Sequence, residues 1–184
     1  MALHFRHSMG PGKKNYEKEI YRQMTKDNDL SLGLWQLFNR TRQLSLKIRQ
    51  KELSRYGISM TSSAVLRSIL RLGENATLKD ISNDLFLERH SIREQLLRME
   101  KDGLVELTKD KQRKNLVRMS VTDKGKELSR KANKPQSLKY IMSALTEEEQ
   151  IEFWRLLSKI RERCLKRLRM KEVIPFPPSD LNEY

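Results

Sequence analysis

Residues 77–107 read TLKDISNDLFLERHSIREQLLRMEKDGLVEL, and this stretch decides the fold. The pattern predicts a short helix over residues 78–85, with Thr77 as its N-cap, and a second helix over residues 88–101. Only about three residues separate the two helices. Such a tight turn between two helices is typical of a helix-turn-helix unit. The second helix has one apolar face, formed by Ile92, Leu96 and Met99.

The sequence that follows predicts a β-hairpin. Residues 104–108 and 116–121 alternate between apolar and polar side chains, as half-buried strands do. Between them lies the polar, basic segment KDKQRKN, residues 109–115. With a preceding helix predicted over residues 60–72, the order becomes helix, short helix, tight turn, helix and hairpin. This is the order of a winged helix-turn-helix.

Helices are also predicted on both sides of this unit. Residues 30–56 and 147–169 carry apolar positions at helical spacing, and a shorter helical piece is predicted over residues 137–144, after Pro135. The two long helices need a cover for their apolar stripes. The predicted fold class is therefore mainly α with one small β-hairpin.

The charge balance favours a polyanionic partner. Lys and Arg total 38 against 24 Asp and Glu, which gives a formal net charge of +14. Nucleic acid is the first candidate and an anionic membrane surface the second. No apolar run approaches the roughly 20 residues of a membrane-spanning helix, so no membrane insertion is expected. The single cysteine, Cys164, excludes a disulfide within the chain and fits a reducing, cytoplasmic setting.

The sequence gives little material for an enzyme. It has no Gly-rich phosphate loop, and its three histidines lie near the N-terminus or on the helix over residues 88–101. Thr146 and the acidic residues 147–149 are explained as a capping box at a helix start. We therefore expect no catalytic site, no cofactor and no metal.

The candidate binding residues cluster on the helix-turn-helix and the hairpin. An arginine can donate two hydrogen bonds to a guanine edge, and Ser and His can donate to bases or phosphates. The N-terminus of the helix after Thr77 can hold a phosphate through its free N–H groups. The alternative is a solvated basic face without a partner. The candidate set is Thr77, Arg89, His90, Ser91, Arg93, Lys111, Arg113 and Lys114.

From Gly57 to Gly125 the chain resembles the MarR family of bacterial transcription regulators. The segment GISMTSSAVLRSIL is similar to the opening of the family's DNA-binding region, and residues 77–107 are similar to its helix-turn-helix, including the ending MEKDGLV. The segment VRMSVTDKGKEL is similar to the second strand and the start of the next helix. Two departures concern the wing, which has Arg113-Lys114-Asn115 without the usual aspartate, and Glu88, a poorer cap than serine.

The resemblance implies a domain organisation. Residues 30–57 and 137–170 would be dimerisation helices, and residues 58–134 the winged helix-turn-helix. Residues 1–29 would form a mobile leader and residues 171–184 a tail. It also implies a homodimer bound to double-stranded DNA, whose recognition helices enter successive major grooves of a pseudo-palindrome with half-sites about 10 bp apart. The family commonly represses transcription and is released by a small-molecule effector.

Two other functions remain as alternatives. One is a winged-helix module that binds a protein partner, and the other is an RNA-associated basic protein. A further open question concerns Cys164, which lies among apolar positions of the last helix. That position predicts a buried small hydrophobic side chain, and a redox switch is the alternative.

Overall fold

The computed structural model describes residues 30–73, 76–109 and 117–170, together with Glu19 and Arg22. The chain divides into two compact units, residues 1–46 and residues 47–184. The predicted tail and nearly all of the predicted leader lie outside the described residues.

The elements follow the predicted order, so the mainly α fold class with a β-hairpin is confirmed. In chain order they are α1 (Leu30–Ser54), α2 (Met60–Leu72), α3 (Leu78–Leu85), α4 (Arg89–Lys101), β1 (Val105–Lys109), β2 (Val117–Val121), α5 (Asp123–Ala132), α6 (Gln136–Met142) and α7 (Glu147–Leu168).

Side-chain caps fix the predicted helix starts. The Ser59 hydroxyl accepts the N–H of Ser62 at 3.0 Å and begins α2. Capping boxes begin α3, with Thr77 and Asp80, and α7, with Thr146 and Glu149. Glu88, predicted to be a poor cap, makes no side-chain cap hydrogen bond at the start of α4.

The hairpin is antiparallel, and its register pairs Val105 with Val121 and Lys109 with Val117. At its base Gly125, in the first turn of α5, lies against the backbone of Leu104. A Cβ placed on Gly125 would be 2.2 Å from the Leu104 carbonyl oxygen. The wing and α5 are therefore packed backbone to backbone.

One hydrophobic core joins α2, α4, the wing and α5. Its buried members run from Leu53 to Ala132. The three residues predicted as the apolar face of α4, namely Ile92, Leu96 and Met99, are all at most 3% exposed. Burial of side chains of this size contributes about 1.5–3 kcal/mol each, so this face anchors α4 to the domain.

Polar contacts fix how the three central helices pack. Asp84 on α3 accepts hydrogen bonds from Ser68 at 2.6 Å and Arg71 at 2.5 Å, both on α2. Gln95 on α4 donates to the Ser62 hydroxyl of α2 at 2.9 Å. Both contacts are directional, so they select one packing angle where apolar contacts alone would tolerate several.

The apolar face of α7 is largely exposed among the residues that the structure describes. Ile151, Ile160 and Leu168 are 57–65% exposed. The prediction that Cys164 is buried is wrong for this single chain, because its side chain is exposed. The physical reason is that no residue of α7 is buried. Apolar side chains of α1 are exposed as well. Leu34, Trp35 and Leu37 are 56–63% exposed.

Candidate nucleic-acid interface

A groove of about 790 Å³ lies between α4, the start of α3 and the hairpin. Its floor is apolar, with Leu96, Leu107 and Met119. Its rim carries four cationic side chains and one carboxylate, which come from three different elements. They are Lys79, Arg89, Arg93, Lys109 and Glu100. Four cations against one carboxylate make the net charge around the groove positive. The Glu100 carboxylate accepts the backbone N–H of Leu107 at 3.2 Å.

Arg89 and Arg93 lie four residues apart on α4, so their side chains share one face of the helix. Both are exposed, while Ile92 and Leu96, on the neighbouring strip of the helix surface, are buried. The apolar contacts hold α4 in place and leave both guanidinium groups in the groove. An exposed arginine can donate two hydrogen bonds to a guanine edge in a major groove.

His90 and Ser91 occupy a different side of α4 and do not line the groove. The Ser91 hydroxyl lies 3.4 Å from Nε2 of the exposed His90 side chain. The groove therefore brings together Arg89, Arg93 and Thr77, whereas His90 shares a second cavity with Arg89 and Ser91 lines neither.

Thr77 lines the groove, but its hydroxyl is occupied by the helix cap. It donates to Oδ2 of Asp80 at 2.5 Å, and it accepts the N–H of Asp80 at 3.2 Å. The same carboxylate accepts the N–H of Thr77 at 3.1 Å. Among first-turn N–H groups, those of Leu78 and Lys79 have no acceptor within the helix. A phosphate at this helix end would meet these two groups and the Lys79 side chain.

Three predicted residues of the wing tip, Lys111, Arg113 and Lys114, lie outside the described residues. Lys79 lines the groove but is absent from the predicted residues, whereas Lys109, which also lines it, belongs to the basic segment predicted over residues 109–115. The start of β1 is one residue later than predicted and its end reaches Lys109, which places that side chain on the groove wall. The sequence alone could have indicated Lys79 as a candidate, because it follows the cap residue Thr77 by two positions.

A second cavity, of about 820 Å³, lies beside the start of α4. Its walls are the turn between α3 and α4, with Phe86 and Leu87, the first residues of α4, and the end of α7, with Cys164 and Leu168. Phe86 adopts a left-handed conformation with φ 53°, which is unusual for a bulky residue. Arg89 lines both this cavity and the groove, so it connects the two.

Two negative observations bear on other chemistry. The described residues contain no group of three or more His, Cys, Asp or Glu side chains placed to hold a metal ion. Within the same residues, no helix has the length and apolar character needed to span a membrane.

The fold is similar to solved structures of transcription regulators. The organohalide-sensing regulator RdhR, in its 2,4-dichlorophenol-bound form, is 28% identical over 74% of this chain and 82% of that chain, with a TM-score of 0.69. A MarR mutant from E. coli with operator DNA is 20% identical over 73% and 96%, with a TM-score of 0.65. The S. aureus MepR–DNA complex is 18% identical over 69% and 95%, with a TM-score of 0.63. No protein-family model matches the sequence, and a comparison with curated proteins gives no match.

These similar structures are of regulators and not of enzymes. Their fold agrees with the order of elements in this chain, in which a helix-turn-helix leads directly into a two-stranded wing. The resemblance read from residues 57–125 and the similarity of the structures point to the same fold. The chain is a MarR-like winged helix-turn-helix protein, with the fold of the MarR-family transcriptional regulators.

Proposed function

We propose that the protein is a sequence-specific, DNA-binding transcriptional regulator. The observation that carries this proposal is the groove beside α4, where Arg89 and Arg93 face the same space as Lys79 and Lys109. Arg89 and Arg93 would read base edges, and the two lysines would neutralise phosphates on either side. His90, Ser91 and the wing-tip residues Lys111, Arg113 and Lys114 would add phosphate contacts. A cytoplasmic setting is part of this proposal.

The proposed assembly is a homodimer. Apolar side chains of α7, and those of α1 that belong to the unit over residues 1–46, are exposed among the described residues of the single chain. Contiguous apolar faces of this kind mark protein interfaces. A second copy supplies the same apolar faces by symmetry, and a two-fold dimer matches a pseudo-palindromic operator.

The proposed action is repression that a small molecule relieves. RdhR is solved with 2,4-dichlorophenol, and an S. aureus MarR is solved with salicylate and kanamycin. In this chain the second cavity has an apolar wall and reaches Arg89. An aromatic molecule with an anionic group would fit that lining, and it would compete with DNA for the Arg89 side chain.

Selection of bound duplexes from a random pool tests the DNA proposal. We expect one enriched half-site, present twice with centres about 10 bp apart. Affinity for the selected duplex should fall by more than about 100-fold between 50 and 200 mM salt, since a protein with 6–10 phosphate contacts loses roughly 10³–10⁵. Electrophoretic shift at several salt concentrations measures this. A pool without enrichment, or a preference for an RNA duplex of mixed sequence, would contradict the proposal.

A cavity-filling variant tests the effector proposal. With 2,4-dichlorophenol or salicylate as the probe, DNA affinity of the unaltered protein should decrease about tenfold or more. Leu168→Trp places a larger ring at the wall of the second cavity, so its DNA binding should respond less to either probe. Arg167→Trp adds the same ring next to it in sequence, at an exposed residue that does not line the cavity, and should keep the response. An equal response in both variants would place the effector elsewhere.

A further inference from the structure

The last two turns of α1 carry a buried ion pair, formed by Arg49 and Glu52. Each residue is only 8% exposed, and Nη1 of Arg49 lies 2.5 Å from Oε2 of Glu52. A buried pair is weak evidence for stability, because the cost of removing both charges from water offsets most of their attraction. A role in stability alone therefore does not explain the pair.

Arg49 also holds the end of α5. Its Nη2 donates to the backbone carbonyl of Ala132, the last residue of that helix. Carbonyl groups in the last turn of a helix have no partner within it and carry a partial negative charge. The Arg49 guanidinium supplies this end of α5 with both a hydrogen-bond donor and a positive charge.

Glu52 holds the start of α6. Its Oε1 accepts the N–H of Gln136 at 2.9 Å and that of Ser137 at 3.4 Å, and its Oε2 accepts the Ser137 hydroxyl. The N-cap position of α6 is Pro135, which makes no side-chain cap hydrogen bond. A carboxylate from another helix thus performs the capping that the local sequence does not supply.

The two contacts match the charges at the break between α5 and α6. The cation lies at the negative end of α5 and the anion at the positive end of α6. Burial by itself would raise the pKa of Glu52, but hydrogen bonds from Ser137 and Arg49 and the charge of Arg49 outweigh it, so the pKa lies below its usual value. No residue of α6 is buried, so core packing contributes little to the direction of that helix. The hydrogen bonds to Glu52 act there beside the backbone bond from the N–H of Gln136 to the carbonyl of Lys134.

We propose that the Arg49–Glu52 pair is a joint that fixes the angle between α5 and α6, and through it the spacing at which the dimer reads two half-sites. α5 continues from the wing, while α6 leads into α7, the helix with the exposed apolar face. A change of angle at the break alters the direction in which α7 leaves the DNA-binding domain. The spacing part of this inference rests on the proposed function, whereas the angle part does not.

The test compares three variants of the full chain. Glu52→Gln keeps an oxygen acceptor but removes the charge that compensates Arg49, and Ser137→Ala is a milder change that removes one hydrogen bond. Glu152→Gln is the matched control, because Glu152 forms an i,i+3 pair with Arg155 that is about half exposed on α7. Amide hydrogen exchange reports on α6, with α2 as the internal standard, and duplex selection from a random pool reports the half-site and its spacing.

For Glu52→Gln we expect exchange in α6 to accelerate at least tenfold while exchange in α2 is unchanged. The selected half-site should remain the same, with a broader distribution of spacings. Ser137→Ala should change both in the same direction by less, and Glu152→Gln should change neither. The proposed joint would be overturned if exchange in α6 were unchanged. It would also be overturned if exchange in α2 accelerated as much as exchange in α6 for both Glu52→Gln and Ser137→Ala. Accelerated exchange in α6 with an unchanged spacing of the half-sites would overturn the proposed link between the joint and DNA binding. If even the unaltered protein enriches no duplex, the proposed function fails, and the exchange data still decide whether the pair holds the angle.

Discussion

Replacing both Arg89 and Arg93 by alanine is expected to abolish most sequence-specific DNA binding while leaving the fold intact. Each bidentate contact from an arginine to a guanine contributes about 1–3 kcal/mol of discrimination, so the double variant should lose about 2–6 kcal/mol per protomer. Both side chains are exposed and contribute nothing to the core. Titration of the selected duplex measures the loss, and the thermal midpoint should shift by no more than a few degrees.

The matched control for this experiment is the double variant Arg163→Ala with Arg167→Ala. It removes the same two charges at the same i,i+4 spacing, from exposed positions of α7 that do not line the groove. Its affinity should decrease modestly, and equally for the selected duplex and for a scrambled one, because only long-range attraction is lost. If both double variants lost the same specific affinity, base reading by α4 would be refuted and net charge alone would explain binding.

The Gly125→Ala variant is expected to be strongly destabilised, although alanine normally stabilises a helix relative to glycine by about 0.5–1 kcal/mol. The added Cβ would lie 2.2 Å from the Leu104 carbonyl oxygen and 2.7 Å from Cγ1 of Val121. That carbonyl cannot easily withdraw, since it accepts the N–H of Thr122 at 3.2 Å. Overpacking of this kind costs about 1–3 kcal/mol or more, and here it acts on backbone.

Urea unfolding at fixed protein concentration measures this effect. Arg130→Ala, at an exposed position of α5, is the control and should change the free energy of unfolding by no more than about 0.5 kcal/mol. A Gly125→Ala protein as stable as the unaltered chain would mean that the wing and α5 separate readily. In that case the wing would not be held at a fixed distance from α4.

The helices and strands could be predicted from the sequence because caps and periodicity depend only on residues close together in the chain. Thr77 with Asp80 and Thr146 with Glu149 form the expected caps, and each depends on residues within one turn. The alternation on each side of the wing tip predicted both strands to within one residue. The burial of Ile92, Leu96 and Met99 likewise follows from helical periodicity.

The features missed by the sequence interpretation depend on distant contacts. Whether Arg89 shares a groove with Lys109 depends on how the hairpin packs on α4, which periodicity does not encode. The exposure of Cys164 was missed because an apolar helix face reads the same whether its cover is the same chain or a second one. The capping of α6 by Glu52 joins residues more than 80 positions apart, so no short motif announces it.

The exposed apolar face of α7 has a thermodynamic consequence. In the proposed homodimer, folding and association form one equilibrium governed by mass action, because the partner binds the folded chain and not the unfolded one. The thermal midpoint then rises with the total protein concentration. Stability differences between variants therefore have a defined meaning only at one concentration. A surface substitution on α7 can change the apparent stability of the winged helix-turn-helix as well.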